Sequence, residues 1–476
     1  MISDQFIEPM VKSVREGNLR VPLDRVFLRV KEGEALPLDI PVEVQQGSGG
    51  LHCLMRINPA TIITETLSKL IVPPRTEPVA VVSKDYLQVE GKTPQALSVV
   101  LDGLSPVTSN QQISLAGIAS SQIHSFSFQR IHFPPSGADS LNIDELLDLR
   151  HEQKVKGGAP DQPREPRKSE PEEEYFAIIP GVKLQIRPDA TVSNITHPYR
   201  LESIHTSCNC FYGKIAAGEF CLEDKDGDLW VYFRRPLNAA GTIPSAASVF
   251  EGILKAVGFT HCVHPWPYFR QHRVDHRVEE RWVRPPQACE MDGLLPMCEG
   301  RLRQATDSRN LFIKAVEFFA AGDERSEVFD RALWLLHASN PNGMAFEIRV
   351  LTLCSVLEGL VKEHAGGSLG SNLDPWKRAV ANLCLDWDGW FEKVFQSWKD
   401  YRNKLAHGFD VLPSATNPID IAHVYSRIFA AIYVIMARQM GYTGKLEASM
   451  LENRDAIVLA EKSSSVCSPQ PAAATL

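Results

Sequence analysis

The chain has 476 residues, 44% of them hydrophobic and 23% charged, with a formal net charge of -8, enough length for about two to four domains with real cores. The pI near 6.0 excludes a generally basic nucleic-acid-binding coat, so any RNA contact has to come from a local patch. No apolar run reaches the roughly 18 residues of a membrane-spanning helix.

The N-terminal MISDQFIEPMVKSVREG lacks a basic stretch leading into an apolar core, so no secretory signal is expected. The 10 cysteines are unevenly spaced and do not form a disulfide framework. A reduced, cytoplasmic setting is expected.

Residues 1–145 read as a β-rich N-terminal domain. LDRVFLRV, PVAVVSKDYLQVEG, LSVVLDG and HSFSFQRIHF are short Val-, Ile- and Phe-rich runs punctuated by Gly, Pro, Ser and Asn, which predicts an antiparallel sandwich or curled sheets. Residues 146–174 have little apolar content, charges of both signs and several prolines. Such a segment cannot bury enough surface to offset its ordering entropy and is expected to be a flexible linker or loop. Residues 175–300 form a second β-rich region, separate from the first or continuous with it. It holds YFAIIPGVKLQIRP, the hairpin-like FCLEDKDGDLWVYFRRP and YFRQHRVDHRVEERWVRP, with one helix expected at 245–259.

From residue 305 to 445 the period becomes helical. NLFIKAVEFFAAG, RSEVFDRALWLLHAS, MAFEIRVLTLCSVLEGLVKEH, WKRAVANLCL, DGWFEKVFQSWKDYRNKLAH and PIDIAHVYSRIFAAIYVIMARQMGY all place apolar residues at i, i+3, i+4 and i+7. Pro341 and Asn342 open the third of these, Gly366 and Gly367 close it, and Pro418 sits in the first turn of the last. The expected architecture is α+β, a β-rich region followed by an all-α bundle, with a disordered tail over 460–476.

Two metal-like patterns do not hold together on inspection. DKDGD at 224–228 opens like a calcium loop, but its sharp-turn glycine falls at Leu229 and its bidentate glutamate at Arg235, so an Asp-Gly turn between strands is the better reading. His261, Cys262, His264, His272 and His276 cluster in sequence, with CNC at 208–210 as a further contributor. In a strand His272 and His276 would lie about 13 Å apart, so a strand and loop is favoured over zinc. No metal site and no cofactor is expected, and there is no Walker loop, GxGxxG or GxSxG.

YRNKLAHG, residues 401–408, ends the fifth bundle helix. Arg402 and His407 are five residues apart, about 140° in azimuth on an ideal helix, so a distorted last turn is needed to bring them to one cleft. Asn403 and His407 share a face at i, i+4. A helix stop accounts for much of the stretch: Lys404 and His407 suit the negative end of the dipole and Gly408 suits a left-handed C′ position. The bare spacing is also common, since Arg200…His205, Arg270…His276 and Arg331…His337 repeat it. Context sets the 402–407 copy apart: a polar residue after the arginine, a helical setting, a glycine after the histidine and a long apolar helix downstream.

With R-N-K-L-A-H at 402–407, FEIRVLTLCSVLEGLVKEH at 346–364 and the aromatic run WDGWFEKVFQSW before the motif, the C-terminal bundle resembles a HEPN domain. A long β-rich half ahead of it is similar in architecture to ApeA-type anti-phage proteins. The resemblance implies a metal-independent RNA endonuclease in bacterial anti-phage defence by abortive infection, acting as a homodimer with two motifs across a shared groove. It implies attack by the RNA 2′-hydroxyl on its own phosphodiester. His407 would move the proton, Arg402 would grip phosphate oxygens, and Asn403 would bond a phosphate or orient the imidazole. Glu358 would hold Arg402 or His407 from behind. Lys404 and Lys399 are the expected RNA contacts, with tRNA or single-stranded loops as substrate and a phage-derived trigger acting on the β-rich half. The tryptophans nearby fit a core better than a stacking platform. Alternatives are a non-catalytic dimerisation or nucleic-acid-binding bundle, and a sensor whose N-terminal half binds metal or ligand.

Overall fold

The structure is a computed structural model that describes residues 12–30, 35–38, 42–47, 50–57, 87–92, 98–112, 121–128, 130–132, 172–184, 186, 194–196, 203–205, 210–237, 244–275, 277–287, 305–338, 346–365, 369, 372–406, 418–447 and 456–459. The predicted linker up to residue 171, the predicted tail, and Pro341, Asn342, Gly366 and Gly367 lie outside these residues.

In chain order the strands are β1 Arg20–Val30, β2 Ala35–Leu38, β3 Val42–Gly47, β4 Gly50–Ile57, β5 Leu87–Lys92, β6 Ser98–Gln112, β7 Ser121–Phe128, β8 Arg130–His132, β9 Glu172–Ile179, β10 Asn194–Thr196, β11 Ser203–His205, β12 Cys210–Ile215, β13 Gly218–Lys225, β14 Asp228–Pro236, β15 Phe269–Val274, β16 Arg277–Val283, β17 Gly444–Glu447 and β18 Ala456–Leu459. The helices are α1 Ala246–His261, α2 Ala305–Ala320, α3 Glu324–Ala338, α4 Phe346–Ala365, α5 Leu373–Asn382, α6 Glu392–Ala406 and α7 Pro418–Gln439, with a π-helical turn at Trp387–Phe391 before α6. The molecule is therefore α+β, with antiparallel sheets and several helices. Among the described residues, no helix is long and apolar enough to cross a membrane.

Two compact units divide the chain, and not by contiguous halves. One comprises Met1–Pro180, Tyr232–Ala239 and Trp266–Gln287; the other comprises Gly181–Val231, Ala240–Pro265 and Ala288–Leu476. The region 175–300 thus contributes to both.

In the first unit, antiparallel pairings link β6, β5, β1, β3, β4 and β7 in turn, and a further β6–β7 pairing closes the ring. Two long strands make closure possible. β1 pairs with β3 through Arg20–Leu23 and with β5 from Asp24 onward, with a register shift between Asp24 and Phe27. β6 pairs with β5 in its first half and β7 in its second, with a shift between Pro106 and Thr108. Such irregularities add bend and twist, and a proline is tolerated where the ladder is already broken. β8, β16, β15 and β9 continue from β6. Tyr175–Ile179 of β9 are all buried, and Phe176 stacks on Tyr232 at 4.7 Å.

In the second unit, β12 and β13 pair antiparallel, and β13 turns into the start of β14 through Asp226 and Gly227 at φ 57° and 83°. Both residues left-handed is the conformation that lets a two-residue turn match strand twist. Gly213 lies opposite Phe220, whose ring covers the space a Cβ would take. Phe312 of α2 packs edge-on to Phe211 at 5.7 Å, tying these strands to the helices. Ser245 caps α1 by accepting from the Ser248 amide, and Asp323 caps α3 by accepting from the Ser326 amide. The α1 helix, expected among strands, packs on α2 with Gly252 against Ala320. At its far end Phe259 stacks on Tyr433 of α7 at 4.8 Å, and Cys262 Sγ donates to the Tyr433 hydroxyl at 2.9 Å. α7 is buried on all sides from Ile428 to Ala437.

Candidate functional site

α6 follows the π-helical turn and sits beside α4, α5 and α7. Its residues Phe395, Trp398 and Arg402 share one face, since they are separated by three and four positions. Trp398 meets Trp376 of α5 at 4.5 Å between ring centroids, and both are buried. Here they are core.

One turn beyond Trp398, Arg402 reaches α4. Its Nε lies 3.6 Å from Glu358 Oε2, with the two side chains 41% and 28% exposed. The guanidinium carbon stands 6.0 Å from the Trp398 ring centre. Cys354, one turn before Glu358 on α4, is buried under this pair. Burial pushes its thiol up to about 12, the Arg402 charge opposing and the Glu358 charge adding to the shift. The thiol therefore stays protonated, and the ion pair above it keeps access to solvent.

Asn403 and Lys404 belong to the last turn of α6. His407 and Gly408 lie outside the described residues, so the structure places only the arginine half of the expected pair. Half-buried Lys399 sets its ammonium 6.0 Å from the Phe395 ring centre.

The opposite flank of α6 holds a feature that the sequence reading did not find. A groove of 610 Å³ opens between α6 and α7, lined among others by Lys393, Ser397, Asp400 and Tyr401 from α6 and by His423 and Arg427 from α7. Arg427 Nη1 donates to the buried Ser397 hydroxyl at 3.5 Å. His423 and Arg427 are spaced i, i+4, which was legible; that α6 would lie alongside them was not.

The histidine and cysteine cluster disperses. His261 is fully buried at the end of α1, its Nδ1 beside the Thr260 hydroxyl at 2.9 Å and the Val257 carbonyl at 3.1 Å. Cys262 takes the left-handed C-cap of α1. His264 tilts against His337 at 6.0 Å, whereas His272, in β15 of the other unit, stacks on Tyr175 and meets Glu173 Oε1 at 3.1 Å. His276 lies outside the described residues. Among the described residues no group of three or more His, Cys, Asp or Glu could hold a metal ion. Of the described cysteines, Cys210, Cys221, Cys262 and Cys354 are buried thiols outside any disulfide, whereas Cys384 is disulfide-bonded, a departure from the wholly reduced set expected.

No family model matches the chain, and neither does any curated protein or solved structure.

Proposed function

We propose that the protein is a metal-independent RNA endonuclease of the HEPN class, acting in the cytoplasm in anti-phage defence, with Arg402, Asn403 and His407 as its reacting set. The observation that carries this reading is the Arg402–Glu358 pair. Arg402 sits in the motif position, is held from a neighbouring helix by the acidic residue the resemblance singles out, and still exposes 41% of its side chain. A guanidinium held but not sealed can turn two N–H groups to a phosphodiester. A histidine at 407 is of the residue type suited to proton transfer near neutrality. Two copies would supply an acid on one side of the scissile bond and a base on the other. The test is an RNA cleavage map in cells expressing wild type or His407→Ala. Cuts present in the first and absent in the second are expected, and identical maps would overturn the reading.

A second reading, a non-catalytic bundle, draws on the same ion pair: an arginine occupied by Glu358 and near Trp398 also suits a purely structural post. In that case Arg402→Ala and His407→Ala both leave biological activity intact, while Trp398→Ala removes it.

A further inference from the structure

We infer that the groove between α6 and α7 holds a stretch of single-stranded RNA, with Lys393 and Arg427 on its phosphates and Asp400 accepting from a ribose 2′-hydroxyl. The identity of the polymer rests on the function proposed above; the site itself rests on the groove. At 610 Å³ the groove falls in the usual range for small-ligand clefts.

Its chemistry narrows the occupant. Lys393 and Arg427 come from different helices and face one space, the arrangement a bridging phosphate needs. Arg427 is the better anchored, because its Nη1 lies 3.5 Å from the buried Ser397 hydroxyl. Two carboxylates, Glu392 and Asp400, line the same groove and balance those two cations. A simple anion gains little in such a field. A ligand carrying both phosphate oxygens and N–H or O–H donors satisfies both signs, and RNA supplies the donors as 2′-hydroxyls and base amines. Tyr401 and His423 also line the groove and bring residue types that stack on or bond to nucleotides.

Position matters as much as lining. Tyr401 immediately precedes Arg402, and Lys404 follows Asp400 by one helical turn. The groove and Arg402 occupy opposite flanks of α6, whose width with side chains is about 10 Å, a span that a short run of nucleotides bridges. The groove is thus a holding site for the strand rather than the place of cleavage. The chain's net charge of -8 leaves binding to such local sites.

The test uses the full-length protein with His407→Ala, so that the probe survives. A fluorescein-labelled single-stranded RNA dodecamer, the same sequence as DNA, and inorganic phosphate are titrated by anisotropy or competition. RNA is expected to bind more tightly than DNA, with phosphate a poor competitor. Lys393→Ala and Arg427→Gln should each weaken RNA binding roughly tenfold or more and reduce the salt slope by about 1. Arg427→Gln keeps a donor for Ser397, and Asp400→Asn, at an exposed position, should erase the preference of RNA over DNA. Unchanged affinity in both Lys393→Ala and Arg427→Gln, or no RNA binding at all, overturns the groove. The two claims separate cleanly. An active enzyme whose KM ignores both substitutions sinks the groove alone; groove-dependent binding without any cleavage sinks the nuclease alone.

Discussion

For a partly exposed ion pair such as Arg402–Glu358, the proposed function makes stability and activity separate readouts. With both side chains reached by solvent, the pair contributes less than about 1 kcal/mol to folding. Removing a guanidinium from a charge-developing phosphate costs about 100-fold or more in rate. Arg402→Ala is therefore expected to leave the melting temperature nearly unchanged and to abolish most RNA cleavage. Glu358→Gln, which only loosens the arginine, should lower the rate roughly tenfold. Equal losses of stability and activity in thermal melts and cleavage assays would assign the pair a structural role. His337 makes a different prediction. Its Nε2 is sealed from solvent, and burial with the neighbouring His264 lowers its pKa from 6.5 to about 3. The unfolded chain takes up that proton first, so the stability it secures is complete above pH 6.5 and is lost as pH falls toward 3, on the order of a few kcal/mol. His337→Leu should flatten this acid limb in urea titrations at pH 7 and pH 4.

At the scale of elements, the helices were easy to read because their apolar period is long and their caps are explicit. The predicted runs of the bundle match α2 through α7, and Ser245 opens α1 where the helix at 245–259 was expected. The strands were harder. β3 and β4 carry Gln, His and Arg among their apolar residues, and β17 and β18 are four residues each, too short to show a period. The π-helical turn at Trp387–Phe391 has no signature in a pattern built on 3.6 residues. Packing of these elements is testable at two points. A Cβ on Gly252 would stand 2.8 Å from the Ala320 backbone nitrogen, so Gly252→Ala forces α1 and α2 apart. That overpacking costs about 1–3 kcal/mol, against a helix-propensity gain of at most about 1 kcal/mol, and a net loss is expected in denaturant melts. Trp398→Ala, which empties the contact with Trp376, should cost about 3–5 kcal/mol.

Taken as a whole molecule, the chain returns to its first unit twice after leaving it, at Tyr232–Ala239 and Trp266–Gln287. Local pattern cannot reveal such interleaving, because each strand of 175–300 looks alike whichever unit it joins. The α1 helix illustrates this: its apolar face was visible, but its partners in α2 and α7 lie far along the chain. The candidate site was legible in the same limited way. Helix context set Arg402 apart and the resemblance of the 346–364 stretch singled out Glu358, whereas the α6–α7 groove depends on tertiary packing. At this scale the central claim is chemical: a 2′-hydroxyl attacks its neighbouring phosphate with no metal involved. The most direct measurement is cleavage, with EDTA present, of a defined RNA and of a copy bearing one 2′-deoxy substitution at the cut. The account predicts a 2′,3′-cyclic phosphate and a 5′-hydroxyl from the RNA, and no cut at the deoxy position. Cleavage of the deoxy copy at that position, or a requirement for divalent metal, would contradict it.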